Sequence, residues 1–145
     1  MQIIARSGFW PELSLPLYLE HVSAGFPSPA QDYVEQQLDL NQLCVKRPAA
    51  TYFVRVAGNS MVDAGIYPDD LLVVDRSITA QDGDVVIANL NGEFTVKVLA
   101  YHPLRLEPRN KQYNPILINE SDDFEIFGVV TNVIRSMIRK WSASR

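Results

Sequence analysis

The sequence is short of the residues that metal and redox centres need. It has one cysteine, Cys44, and two histidines, His21 and His102, among 145 residues. A lone cysteine forms no internal disulfide, which fits a reducing compartment and predicts a cytoplasmic chain with Cys44 as a small buried apolar residue. No Cys, His or carboxylate cluster has metal-ligand spacing, so no metal is expected. No glycine-rich phosphate loop is present, and no cofactor is expected. No apolar run approaches the span of a bilayer, and no cationic segment followed by an apolar core opens the chain. Neither a membrane span nor a signal peptide is expected. Basic residues are not in excess: 13 Lys and Arg stand against 17 Asp and Glu, a net charge of −4. The electrostatic footprint of non-specific nucleic-acid binding is therefore missing, and direct DNA binding is not expected. The chain also lacks repeats and low-complexity tracts.

What is there reads as one ordinary domain, with 47% hydrophobic and 21% charged residues. From Thr51 onward short strands alternate with turn signals, the pattern of a compact, mostly β domain. Strands are expected over 52–56, 71–75, 84–90, 93–99, 105–108, 115–118 and, longest, from Phe124 to Met137. Asn91-Gly92 lies between two alternating segments and predicts a tight hairpin, because both positions of such a turn take φ > 0. The last strand carries Phe124, Ile126, Val129, Val133, Ile134 and Ile138. That apolar surface, with an unpaired strand edge, predicts a homodimer.

The first third is different. Met1 to Pro16 holds no period and is expected to be an arm with little structure of its own. An extended segment is possible around Leu17 to Val22. It ends at the small pair Ala24-Gly25, and Pro27 and Pro29 then forbid a regular helix. Ser23-Ala24-Gly25 reads locally as a flexible joint. Ala30 to Leu43 is the one predicted helix, with Tyr33, Val34, Gln37 and Leu38 on one face.

Two residues carry candidate chemistry. Tyr52 to Val56 runs into Gly58-Asn59-Ser60-Met61, a turn that glycine makes without steric cost. A serine held on such a turn presents its hydroxyl with backbone N–H groups beside it, as an acyl-transfer nucleophile with an oxyanion hole requires. Serines after glycines are nonetheless turn residues more often than nucleophiles. In Glu93 to Leu99, Lys97 shares a face with Glu93, Thr95 and Leu99. If that face is packed, desolvation lowers the pKa of Lys97, and a neutral lysine amine can act as general base toward a serine. If it is open, Lys97 is a solvent-facing lysine, the commoner situation. His21 lies in the arm and His102 precedes Pro103 in a loop, so a Ser-His-Asp triad is not expected. Asp69-Asp70 and Asp122-Asp123 read as turn and surface charges.

Gly58-Asn59-Ser60-Met61, Asp69 to Asp75, Gly83-Asp84-Val85-Val86 and Gly92 to Lys97 occur in an order and at a spacing that resemble the self-cleaving serine peptidases of the LexA/UmuD type. The resemblance extends to Ala24 through Pro29, Asp32 through Glu35 and Phe127 through Val130, and covers about residues 17 to 138. It implies a mostly β peptidase domain over 25–145 behind a flexible arm, 1–24, that is removed by self-cleavage. It implies Ser60 as nucleophile, Lys97 as general base and Ala24–Gly25 as the bond cut. The implied partners are a second copy of the chain, a RecA filament on single-stranded DNA, and a UmuC-like Y-family polymerase that the processed dimer serves after DNA damage. One departure is that the best-known UmuD has Cys-Gly at the cut, where this chain has Ala24-Gly25. The 24 residues before Gly25 contain a single Arg and no helix-turn-helix, which separates this chain from a repressor. The competing expectation is a non-catalytic β-rich interaction module, with Ser60 a turn residue and Lys97 a surface charge.

Overall fold

A computed structural model describes residues 2–6, 12–18 and 34–138. Ten strands form two antiparallel sheets. In chain order they are β1 (Gln2–Arg6), β2 (Leu15–Tyr18), β3 (Val34–Leu38), β4 (Thr51–Arg55), β5 (Leu71–Asp75), β6 (Val85–Leu90), β7 (Glu93–Ala100), β8 (Arg105–Glu107), β9 (Ile116–Leu117) and β10 (Phe124–Ile134). Eight build the main sheet in the order β1-β4-β5-β10-β6-β7-β8-β9, while β2 and β3 pair separately.

The strands from β4 to β10 fall where β-branched and aromatic residues alternate or run together, as the sequence predicts. The β6–β7 hairpin turns at Asn91 and Gly92 with φ of 52° and 89°, the left-handed pair expected there. Strand β10 ends at Ile134, before the expected Met137. It is not an edge strand. Its first half pairs with β6 and its second half with β5. Gly128 sits at the bulge between the halves, where an added Cβ would lie 2.6 Å from Val74 Cγ1. Only glycine lets β10 pass from one neighbour to the other at that distance.

The N-terminal third departs from expectation. Residues 2–6 of the arm form β1, which takes its structure from pairing with β4 and covers what would otherwise be the exposed edge of the main sheet. The helix expected over Ala30–Leu43 is not formed as such. Val34–Leu38 is strand β3, registered against β2 with Leu15 opposite Leu38. The α-helical part of this stretch is α1 (Leu40–Cys44), where Asp39 caps the helix by accepting from the Asn41 N–H. Residues 34–38 fit a helical face and a two-residue alternation alike, and pairing with a distant strand decides between them. Cys44 is half-buried, less enclosed than expected, and borders a surface cavity with Leu40, Phe53 and Val133. Ala24, Gly25 and His21 lie outside the described residues.

The core lies on both faces of the sheet. One cluster contains Val54, Met61, Leu72, Val74, Ile87, Val96 and Val98. The other contains Val86, Ala88, Leu99, Leu106 and Val129. Strands β6 and β7 are therefore packed on both sides, which settles the environment of Lys97 before its side chain is considered.

Candidate active site

Ser60 lies in the connection between β4 and β5. Those strands pair from Thr51–Asp75 to Arg55–Leu71, so the loop between them leaves and re-enters the sheet at one place. Its neck is closed by backbone bonds from the Val56 N–H to the Asp70 carbonyl and from the Asp69 N–H to the Val56 carbonyl, each 2.9 Å. Within the loop Gly58 has φ +79°, the left-handed geometry that glycine adopts without strain. Met61 is buried in the core and pins the turn beneath Ser60. Val62–Ala64 forms one 3-10 turn, ended by Gly65 with φ +81°.

Lys97 projects from the middle of β7 and is only 8% exposed. Its Nζ donates to Ser60 Oγ at 2.9 Å and to Thr95 Oγ1 at 2.6 Å. Among the described residues no carboxylate pairs with it. Burial among apolar neighbours pushes its pKa below the ordinary lysine value. Lys97 is thus not the open, solvent-facing lysine that was the commoner expectation. The structure brings Ser60 and Lys97 together across 37 positions of sequence. His102 stands elsewhere, in an exposed turn beyond the end of β7.

Sequence reasoning missed Thr95. Its position two before Lys97 on one strand, hence on one face, was the available signal. It also missed the loop after β8. The Arg109 N–H donates to the Ser60 carbonyl at 2.7 Å, and the Arg109 carbonyl accepts from the Asp63 N–H at 2.8 Å. Asn110 Nδ2 donates to the Asn59 carbonyl at 2.9 Å, and the Tyr113 hydroxyl donates to Asn59 Oδ1 at 2.6 Å. Nothing local in the sequence announces these contacts. A shallow cavity of ≈ 320 Å³ opens beside them, lined by Asp63, Pro108, Tyr113 and Pro115 among others. Among the described residues no group of three or more His, Cys, Asp or Glu is placed to hold a metal ion.

Asp69-Asp70, expected as turn charges, divide in role. Asp69 is exposed with φ 71°. Asp70 is 1% exposed and receives Arg135 Nε and Nη2 on its two oxygens, each at 2.6 Å. The Tyr67 N–H adds a third bond, and the Arg135 guanidinium lies over the Tyr67 ring. Burial alone would raise the Asp70 carboxyl. The Arg135 hydrogen bonds, the Tyr67 N–H and the charge of Arg135 more than reverse this and hold it below the usual carboxylate range.

A buried lysine amine in hydrogen-bond contact with a serine on a glycine turn is an arrangement that can support acyl transfer. The profile of the Peptidase S24-like family matches residues 16–131. The chain belongs to the S24-like peptidase family. Within it the chain is UmuD-type. MucA of Salmonella typhimurium is 48% identical over 134 residues, spanning 91% of this chain and 92% of MucA. SamA of the same species is 52% identical over 120 residues, spanning 82% of this chain and 84% of SamA. The LexA repressor of Bordetella avium is 38% identical over 127 residues, spanning 86% of this chain but 59% of the repressor. The described residues contain no helix long and apolar enough to cross a membrane.

Proposed function

We propose that this S24-like chain is a self-cleaving serine peptidase of SOS mutagenesis, with Ser60 as nucleophile and Lys97 as general base. One observation carries the reading: a desolvated lysine amine with no carboxylate partner among the described residues, 2.9 Å from the hydroxyl of a serine on a glycine turn. In the reactive form Lys97 is neutral and the hydrogen bond runs the other way, from the Ser60 hydroxyl to the Nζ lone pair. Thr95 Oγ1 still accepts one N–H and aims that lone pair at Ser60.

Ser60 Oγ attacks the carbonyl carbon of Ala24 and its proton passes to Lys97 Nζ. The carbonyl oxygen becomes an oxyanion, stabilised by the N–H groups of Ser60 and Met61. Lys97 then returns the proton to the Gly25 nitrogen as the Ala24–Gly25 bond breaks. This leaves the Ala24 carbonyl as an ester on Ser60. Water, deprotonated by Lys97, hydrolyses the ester and frees residues 1–24. The substrate is tethered to the catalyst, so its effective concentration is high and a modest base suffices. Small residues at Ala24 and Gly25 let the backbone come close to Ser60.

Residues 25–145 are the mature cytoplasmic domain and form a homodimer. Val133, Ile134, Met137 and Ile138, at the end of β10 and beyond, are exposed apolar residues that support association. Control lies in docking of the arm, an equilibrium that a RecA filament on single-stranded DNA biases toward the docked state. The processed dimer serves a UmuC-like Y-family polymerase in translesion synthesis. The test is to incubate the purified chain with RecA, ATP and single-stranded DNA and to sequence the product. A fragment beginning at Gly25 is expected. A chain that stays intact is instead a non-catalytic module, and a fragment beginning elsewhere removes the assigned bond.

A further inference from the structure

We infer that the loop from Arg109 to Tyr113 is a positioning element that orients the oxyanion donors of the Ser60 turn, with Asn110 and Tyr113 as its key side chains. The inference rests on the peptidase reading and deepens it. A trans peptide unit is planar, so its carbonyl and its N–H point in opposite directions. The Asn59 carbonyl belongs to the peptide unit that carries the Ser60 N–H. The Ser60 carbonyl belongs to the unit that carries the Met61 N–H. Both carbonyls are held from outside the turn, the first by Asn110 Nδ2 at 2.9 Å and the second by the Arg109 N–H at 2.7 Å. Fixing these carbonyls turns the Ser60 and Met61 N–H groups to the other side. Among the described residues neither N–H meets an acceptor.

The holding loop is itself stiffened. Asn110 Oδ1 accepts from the Gln112 N–H at 2.9 Å, so one amide side chain bridges its own loop and the serine turn. The Tyr113 N–H donates to the Asn110 carbonyl at 3.1 Å, while the Tyr113 hydroxyl reaches Asn59 Oδ1. Arg109 Nη1 holds Glu107 at 3.2 Å, tying the loop to β8. An oxyanion donor is effective only when preorganised, because it then needs no reorganisation as charge develops. A turn with φ > 0 at Gly58 has no such rigidity of its own.

The experiment measures self-cleavage of the full chain in buffers from neutral to alkaline pH, comparing wild type with Tyr113→Phe and Asn110→Ala, with Ser60→Ala in parallel. Removing an oxyanion donor outright costs about 10²–10³-fold, so loosening one should cost less. We expect the alkaline plateau rate to fall roughly threefold or more in Tyr113→Phe and roughly tenfold or more in Asn110→Ala. The pH midpoint, set by Lys97, stays where it is. Tyr113 is 43% exposed, so its phenylalanine variant keeps wild-type urea stability and separates positioning from folding. Wild-type plateaus in both variants overturn the inference, and so does a rate loss that comes with a shifted midpoint or a matching loss of stability. A wild-type chain that cleaves no faster than Ser60→Ala overturns the peptidase reading itself, and the brace falls with it.

Discussion

Two buried charges flank the loop that carries Ser60, and they are treated in opposite ways. Asp70, at the loop's return to the sheet, has both oxygens occupied by one guanidinium and a backbone N–H besides. Lys97, across the loop, has among the described residues only the oxygens of two hydroxyls. Both side chains are hydrogen-bonded, and no buried side-chain polar atom among the described residues lacks a partner. The difference is in charge. A buried carboxylate with a matched cation stays ionised, so Asp70 is held below its ordinary pKa. A buried ammonium facing only dipoles is stabilised less than it would be by water, so Lys97 is pushed toward its neutral form. One arrangement fixes a loop. The other leaves an amine that the proposed mechanism can use as its base.

The largest effect that breaks this contrast is on chemistry. Ser60→Ala and Lys97→Ala should each reduce self-cleavage by at least about 10³-fold, because members of a nucleophile–base pair act as a unit. Circular dichroism should be unchanged. Wild-type-like cleavage in either folded variant, seen as the Gly25 fragment on gels, removes the pair. Asp70→Ala should behave differently, losing stability before chemistry. It strips the partner from Arg135 and leaves the Tyr67 N–H unmatched, a loss that water reaching the 39%-exposed Arg135 side chain softens. Urea unfolding measures this, and a wild-type midpoint would mean that solvent already screens the clamp fully.

The two charges also respond to opposite ends of the pH scale. The folded pKa of Asp70 is lowered, so its contribution is present above the unfolded carboxylate pKa of about 3.9 and is lost as pH falls through the folded value. Stability that Asp70→Asn lacks should therefore converge with wild type only in strong acid. Cleavage should follow Lys97 instead. Its rate should rise with pH until the amine is neutral and then level off, whereas a histidine base would level off near its ordinary pKa of about 6.5. A flat profile above neutral pH, or an alkaline rise that persists in Lys97→Ala, excludes Lys97 as the base.

How far these features could be read from sequence depends on the distance over which they are decided. The Asn91-Gly92 hairpin is local: two residues that tolerate φ > 0 between alternating segments suffice. Strand β3 is not. Val34 to Leu38 satisfies a helical face and a strand alternation equally, and the outcome depends on β2, a non-local partner. Strand β1 was invisible for the same reason, since its register is set by β4, about fifty positions on. At the site, alternation placed Lys97 and Thr95 on one face but was silent on burial. Packing of both faces of β7, by Val96 and Val98 on one and Leu99 on the other, made the difference. Arg109, Asn110 and Tyr113 meet the serine turn only through the completed sheet, so no window of sequence contains the signal.

The smallest expected effect bears most directly on the cost of keeping Lys97 buried. Lys97→Met retains the aliphatic stem and removes the ammonium, so it should abolish cleavage yet stabilise the fold at neutral pH, by about 1 kcal/mol. The sign follows from linkage. The pKa of Lys97 is lower folded than unfolded, where it is near 10.4. Between those two values the unfolded chain binds more protons, so wild-type stability rises with pH through that window. Below it both states carry the proton, and the folded state bears the whole desolvation cost. Above it neither does, and the cost vanishes. The advantage of Lys97→Met should thus be greatest below the folded pKa of Lys97 and shrink as pH rises from there toward about 10.4. Urea unfolding of both proteins across that range measures it. A variant less stable than wild type at neutral pH, or an advantage that does not change with pH, would mean that the Ser60 and Thr95 hydroxyls solvate the ammonium as well as water does. Desolvation would then not be what prepares Lys97 to take a proton.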